Sequence, residues 1–201
     1  MSRGCGPSSW RATAVLTLAC VSWHAGAAEP HPLAPHIKFS AVTTNLGRDS
    51  DIPIQIDLLR FTSDADRQEL VAAVAAKGIE SLQPQLAGKP SLGFLWTNSS
   101  VGYLIRYAAR SPLPGGGERI VIATDRPLGA YGLQPWQPAP PAEATAYPLT
   151  VLELRFDGKG AGQGTFSLAT GITVDAATHT LGLEPSPPAQ RLLKNVKREP
   201  G

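Results

Sequence analysis

The residues best placed to do chemistry are Asp125 and Arg126, in Ala-Thr-Asp-Arg-Pro-Leu-Gly, where an alternating apolar run meets a long proline-rich stretch. An acid beside a base at a strand end can orient the polar group of a ligand. Beyond them, Pro127 to Pro148 holds six prolines in 22 residues, together with Tyr131, Trp136 and Tyr147. Proline lowers the entropy a loop loses when it is fixed, so this segment can hold aromatic faces over a pocket at modest cost. Asp125, Arg126, Tyr131, Trp136 and Tyr147 therefore form the candidate ligand-binding set. Aromatic faces around one charged pair suit a small apolar or sugar-like ligand. They suit a phosphate less well, because the segment offers no run of free backbone N–H groups. The structural alternative has Asp125 capping a turn or pairing with an arginine such as Arg106, while the aromatics pack back on the sheet.

Catalytic constellations are poorly represented. Three histidines lie beyond residue 30: His31, His36 and His179. A serine hydrolase needs a histidine held by a carboxylate beside a nucleophile on a sharp turn, and no Gly-x-Ser-x-Gly occurs. Asp57, Asp125 and Glu153 fall in or at the ends of strands, and two carboxylates facing one cleft could hydrolyse a glycoside. A hydrolase built on strand-end carboxylates near Asp125 is the alternative reading, although Glu153 is more simply a solvent-facing strand residue. A chain starting Glu29-Pro30-His31 would place histidine third, as in amino-terminal copper sites. Proline in second place has no N–H to give up as a ligand. No catalytic residue, metal or cofactor is expected.

The glycine ladder Asp157-Gly-Lys-Gly-Ala-Gly-Gln-Gly164 could cradle a phosphate or turn a corner. Its spacing departs from Gly-x-Gly-x-x-Gly, since Gln163 or Thr165 stands where the third glycine belongs. Lys159 is followed by Gly160, so no P-loop forms. Leu152, Leu154 and Phe156 alternate before it, and Phe166, Leu168, Ile172 and Val174 alternate after it. Two period-two runs around Asp-Gly predict a β-hairpin.

Comparable runs predict strands at "HIKFSAVTT", "DIPIQIDLL", "SLGFLW", "VGYLIRYAAR", "RIVIATD", "THTLGLE" and "QRLLKNVK". Pro53 belongs at an edge or a strand start, because it cannot donate to a ladder. One helix is well marked by Ser63 as N-cap, acids in its first turns, Lys77 in its last and Gly78 as the stop, with Leu70, Val71 and Val74 as the buried stripe. "IESLQPQL" adds a short turn of helix before Pro84. The expectation is an α+β fold, mostly antiparallel β, with about eight or nine strands in a curved sheet or barrel and one clear α-helix packed on it.

The first residues place the chain outside the cytoplasm. Arg3 and Arg11 precede an apolar stretch from Ala12 to Trp23, and Ala25-Gly26-Ala27 is a small-residue cleavage signal. Residues 1–27 are read as a signal peptide and 28–201 as one exported β-rich domain, with 127–148 a long loop and 198–201 a solvated tail. Lipidation at Cys20 is a minor alternative, since Thr17 stands where a large aliphatic residue is wanted. Both cysteines, Cys5 and Cys20, lie in the leader, so no thiol remains for a disulfide or a metal. Loss of Arg3 and Arg11 lowers the basic count from 18 to 16 against 16 acids. A neutral chain argues against nucleic acid as partner. Mass spectrometry of the native protein should find cleavage near Ala27 or Ala28; a retained terminus or a diacylglyceryl mass on Cys20 would contradict this.

From about Phe39 to Lys197 the chain resembles a family of uncharacterised exported bacterial proteins. The resemblance is carried by "LIRYAARSPLPGGGERIVIATDRPLG", "YPLTVLELRFDGKGAGQG" and "QRLLKNVK". It implies kinship and export, in the periplasm or secreted, and no established activity. The proline-rich segment is longer and richer in proline than the resemblance leads one to expect. The functional expectation is a soluble, non-catalytic binding or accessory module of the cell envelope, its partner a small apolar or sugar-like ligand or an envelope protein. A structural subunit pairing through a sheet edge is a third possibility.

Overall fold

The computed structural model describes residues 36–44, 46, 51–97, 102–130, 147–185 and 192–200. Residues 33–201 form one compact unit. Among the described residues of this unit there are ten strands and two helices: β1 (Ile37–Thr43), β2 (Pro53–Leu58), α1 (Asp64–Lys77), α2 (Leu82–Ala87), β3 (Gly93–Thr97), β4 (Tyr103–Pro112), β5 (Glu118–Thr124), β6 (Val151–Phe156), β7 (Gly162–Phe166), β8 (Ile172–Asp175), β9 (Thr180–Leu183) and β10 (Leu193–Glu199). A 3-10 turn, Ile79–Ser81, joins the two helices.

Eight of the strands close into an antiparallel barrel in the order β1-β2-β3-β4-β5-β6-β7-β10, and β10 returns to pair with β1. β8 and β9 form a separate two-stranded sheet. The mostly antiparallel β expectation holds, and the alternation in each run sets which side chains enter the barrel. Phe39 pairs with Ile56, Ile56 with Leu95, and Leu95 with Tyr103, all facing inward. Ile120 pairs with Leu154 and Leu152 with Phe166 on the far side. An eight-stranded barrel is just wide enough for side chains to fill, and this one is filled. Phe39 and Phe156 meet inside it with ring centroids 5.7 Å apart.

The glycine ladder turns a corner and then does something else. Asp157 Oδ1 accepts from Lys159 N (2.8 Å) and Ala161 N (2.9 Å), closing the β6–β7 turn. Gly162 and Gly164 then sit opposite Phe156 and Leu154 on β7. A Cβ at Gly164 would lie 2.8 Å from Leu193 Cδ1, so the missing side chain there makes room for its neighbours in the core.

Two details differ from the sequence reading. The run from Phe166 to Val174 is not one strand: β7 ends at Phe166, and β8 begins at Ile172 in the other sheet. Ser167 and Ala169 turn back there, with Val151 N donating to Ser167 Oγ and Ala169 N to Phe166 O. β10 also continues through Glu199, pairing Arg198 with Phe39, where the tail had been placed.

Helix α1 forms as its caps dictate. Asp66 N donates to Ser63 Oγ (3.2 Å), and Ser63 Oγ donates in return to Asp66 Oδ2 (2.6 Å). Gly78 ends the helix at φ 87°, a left-handed conformation that favours glycine. Leu70 and Val74, with Leu82 and Leu86 of α2, pack on the outer face of β4 and β5 against Tyr107, Ala109, Val121 and Ala123. The hairpin β8–β9 extends the same apolar layer through Leu181 and Leu183. The molecule thus has one core inside the barrel and a second outside it.

Candidate functional site

Asp125 and Arg126 are brought together, and their polar atoms serve the strand end. Asp125 N donates to Leu104 O (2.9 Å), while Asp125 Oδ1 accepts from Leu104 N (3.0 Å), continuing the β4–β5 ladder by one side-chain rung. Asp125 Oδ2 pairs with Arg126 Nη1 at 2.7 Å. Arg126 Nη2 donates to Gly102 O (2.9 Å), and its guanidinium lies 4.6 Å from the Tyr103 ring centroid. Tyr147 makes its contact elsewhere, accepting at its hydroxyl from Ile172 N on β8 (3.2 Å). Tyr131 and Trp136 lie outside the described residues. Arg106 pairs not with Asp125 but with the carbonyl of Lys89.

The other candidate groups are likewise occupied or apart. His36 Nδ1 lies 3.4 Å from Asp57 Oδ1, and His179 stands at φ 48° in the β8–β9 turn. His31 lies outside the described residues. No three His, Cys, Asp or Glu side chains among the described residues converge as a metal site would require. Glu153 is not solvent-facing but 5% exposed, because β9 crosses the outside of β6 at this point. It accepts from Arg119 Nη2 (2.7 Å) and Arg155 Nε (2.5 Å). Burial pushes its pKa up, but the hydrogen bond and charge of Arg119, followed by those of Arg155, outweigh burial and leave it below the usual glutamate value.

Among the described residues, a mostly apolar concavity that can receive a ligand lies between α1 and the barrel, a cleft of about 270 Å³. It originates in an irregularity of β4. The register slips between Ile105 and Tyr107, so β4 carries one extra residue there. Ile105 and Ala108 point into the barrel, which leaves Arg106 and Tyr107 together on the outer side. A bulge of this kind re-aims side chains at the cost of local pairing.

Two connections dock against the bulged strand and form the walls. The β2–α1 link is held by Thr62 N donating to Ala108 O (2.8 Å) and Ala108 N donating to Thr62 Oγ1 (2.9 Å). The α2–β3 link is held by Leu92 N donating to Ile105 O (2.8 Å). Leu70 and Leu86 close the cleft from the helices, and Phe61, Pro90 and Leu92 line it from the two links. Lys89 fastens the helices across the mouth, with Nζ 2.7 Å from Asp66 Oδ1 and 2.8 Å from Glu69 Oε2. Hydrogen bonds to Asp66 and then Glu69 raise the Lys89 pKa, and the bond from Lys89 is the main cause of the lowered value at Asp66. Tyr107 lines the cleft with its hydroxyl bonded away to β9, where it accepts from Leu181 N (3.0 Å). Burial raises its pKa, so it stays neutral.

The sequence reading had no access to this site. Strict alternation would have put Tyr107 inside the barrel with Ile105. The one local signal is Arg106 itself, a charge in the middle of an otherwise apolar strand. The chain matches no family model, no curated protein and no solved structure.

Proposed function

We propose that the protein is an exported, non-catalytic binding module of the cell envelope that holds a small apolar ligand in the cleft between α1 and β4. The cleft carries this reading: it is concave and mostly apolar, with the charged side chains Arg60, Asp66, Lys89 and Arg106 converging on it. Export rests on the leader sequence, residues 1–27. The barrel turns Phe39, Ile54 and Leu95 inward and Lys38, Gln55, Asp57 and Arg155 outward. That is the reverse of a membrane barrel, whose outer face carries a continuous apolar band. Among the described residues no helix is long and apolar enough to cross a membrane.

The cleft is favoured over the Asp125–Arg126 strand end because both carboxylate oxygens of Asp125 and both terminal nitrogens of Arg126 are already engaged with Leu104, Gly102 and each other. Hydrolysis by Asp125 is disfavoured for the same reason. A ring of eight paired strands also leaves no barrel edge for another protein to extend.

A titration with N-phenyl-1-naphthylamine, an uncharged apolar fluorophore, tests the reading. Saturable binding is expected, weakened about tenfold or more when Pro90→Trp fills the mouth, and unchanged in Asp125→Asn. Pro90 is exposed, so the tryptophan does not disturb the core. Absence of saturable binding, or binding indifferent to Pro90→Trp, would remove the cleft as the site.

A further inference from the structure

The walls of the cleft are apolar, yet its mouth carries positive charge that the protein leaves unbalanced. Lys89 is bridged by Asp66 and Glu69, and nearby Arg67 by Asp64. Arg60 and Arg106 also line the cleft, and among the described residues neither has a carboxylate partner. Arg60 Nη2 holds a single long hydrogen bond, 3.4 Å, to Ser91 O. Arg106 is fixed through Nη1 on Lys89 O, while its Nε–H is buried with no acceptor among the described residues.

A buried donor left unmade is costly, and more so when it belongs to a charged group. With Nη1 occupied and Nε buried, the donor that the Arg106 guanidinium leaves for a ligand is Nη2. Nη2 of Arg106 and the exposed guanidinium of Arg60 can each give a carboxylate a charge-assisted hydrogen bond. The Lys89 carbonyl orients the Arg106 guanidinium before any ligand arrives, so little side-chain freedom is lost on binding.

We infer that the cleft takes a fatty acid of medium chain length, its carboxylate on Arg106 and Arg60 and its chain among Phe61, Leu70, Leu86 and Leu92. The inference rests on the cleft reading above and adds the chemistry of the head group. Asp66 and Glu69 stand at the same mouth, so a dianionic phosphate is repelled more strongly than a monoanion. The volume, just below the range of about 300–1,000 Å³ common to ligand pockets, admits one short chain rather than two.

Calorimetric titration of the full chain with octanoate and with 1-octanol separates the two levels of the argument, because these ligands share a tail and differ in the head. Octanoate should bind about ten- to a hundredfold more tightly than 1-octanol, the range expected for hydrogen bonds to a charged partner. Arg106→Gln should abolish most of that advantage and Arg60→Gln part of it, with 1-octanol affinity retained in both. Arg60 is exposed, so Arg60→Gln provides the test even if Arg106→Gln folds poorly. Added salt should weaken octanoate and leave 1-octanol unchanged. Equal affinities for the two ligands, or octanoate binding undiminished in Arg60→Gln, would overturn the carboxylate inference while the apolar cleft stood. Failure of both ligands to bind would overturn the inference and the cleft together.

Discussion

Glu153→Ala should lower folding stability by about 3–5 kcal/mol in urea melts, the cost of removing one partner of a buried ion pair. Glu153 sits under β9 with its side chain 6% exposed, and Arg119 beside it is 16% exposed. Without the carboxylate, Arg119 keeps its charge in a site that water reaches poorly, and its Nε already lacks an acceptor among the described residues. Arg155 is half-exposed, so its share of the loss is small. The double variant Glu153→Leu with Arg119→Leu should recover much of the stability, since apolar side chains of similar volume can replace a buried pair. Recovery will be incomplete, because Arg119 Nη2 also donates to Leu181 O (3.3 Å) and ties β9 to the barrel.

The same pair sets a pH dependence. The Glu153 pKa is lowered in the folded state, so its contribution is present above the unfolded value of about 4.3 and is lost as pH falls through the folded value. Native protein should therefore lose stability below about pH 4 more steeply than the Leu/Leu double variant does. A loss well under about 1 kcal/mol in Glu153→Ala, or parallel pH profiles, would mean that the pair is solvated rather than buried.

Leu70→Ala is expected to cost about 2–4 kcal/mol, through lost burial and the cavity left behind. Leu70 is 3% exposed and packs in the outer core with Val74, Leu86 and Tyr107. It also lines the cleft, so the cavity opens into the ligand seat. Bound 1-octanol should then restore part of the loss, as any ligand specific to the native state stabilises it. Asp66→Ala should lose less, because its side chain is 44% exposed. Asp66 is nonetheless more than a bare surface acid, as it completes the Ser63 cap and holds Lys89. Equal losses at the two positions would show that the buried face of α1 had been misassigned.

Of the candidate site, the sequence made Asp125 and Arg126 visible and left the cleft invisible. The pair is conspicuous because charges at the end of an apolar run stand out locally. The cleft residues come from three separated segments, Arg60–Leu70, Leu86–Leu92 and Arg106–Tyr107, which meet only when the β2–α1 and α2–β3 links dock on β4. Nothing in any one of these segments reports on the other two.

What the sequence determined by itself is what neighbouring residues can decide. Period-two alternation assigned Ile54, Ile56, Leu152 and Leu154 to one face, and the Ser63 cap and the Gly78 stop bounded the helix. The Asp157 turn followed from side-chain bonds within four residues. The tertiary structure decided three further things. It closed the ring by bringing β10 between β7 and β1 across more than a hundred residues of chain. It covered part of the outer face, so that Glu153 became buried while Arg155, two residues along on the same face, stayed exposed. It also placed the β4 bulge that turns Arg106 and Tyr107 outward together. Alternation separates the two faces of a strand, but which face meets water depends on segments far away in the chain, and those segments bury Glu153 and open the cleft.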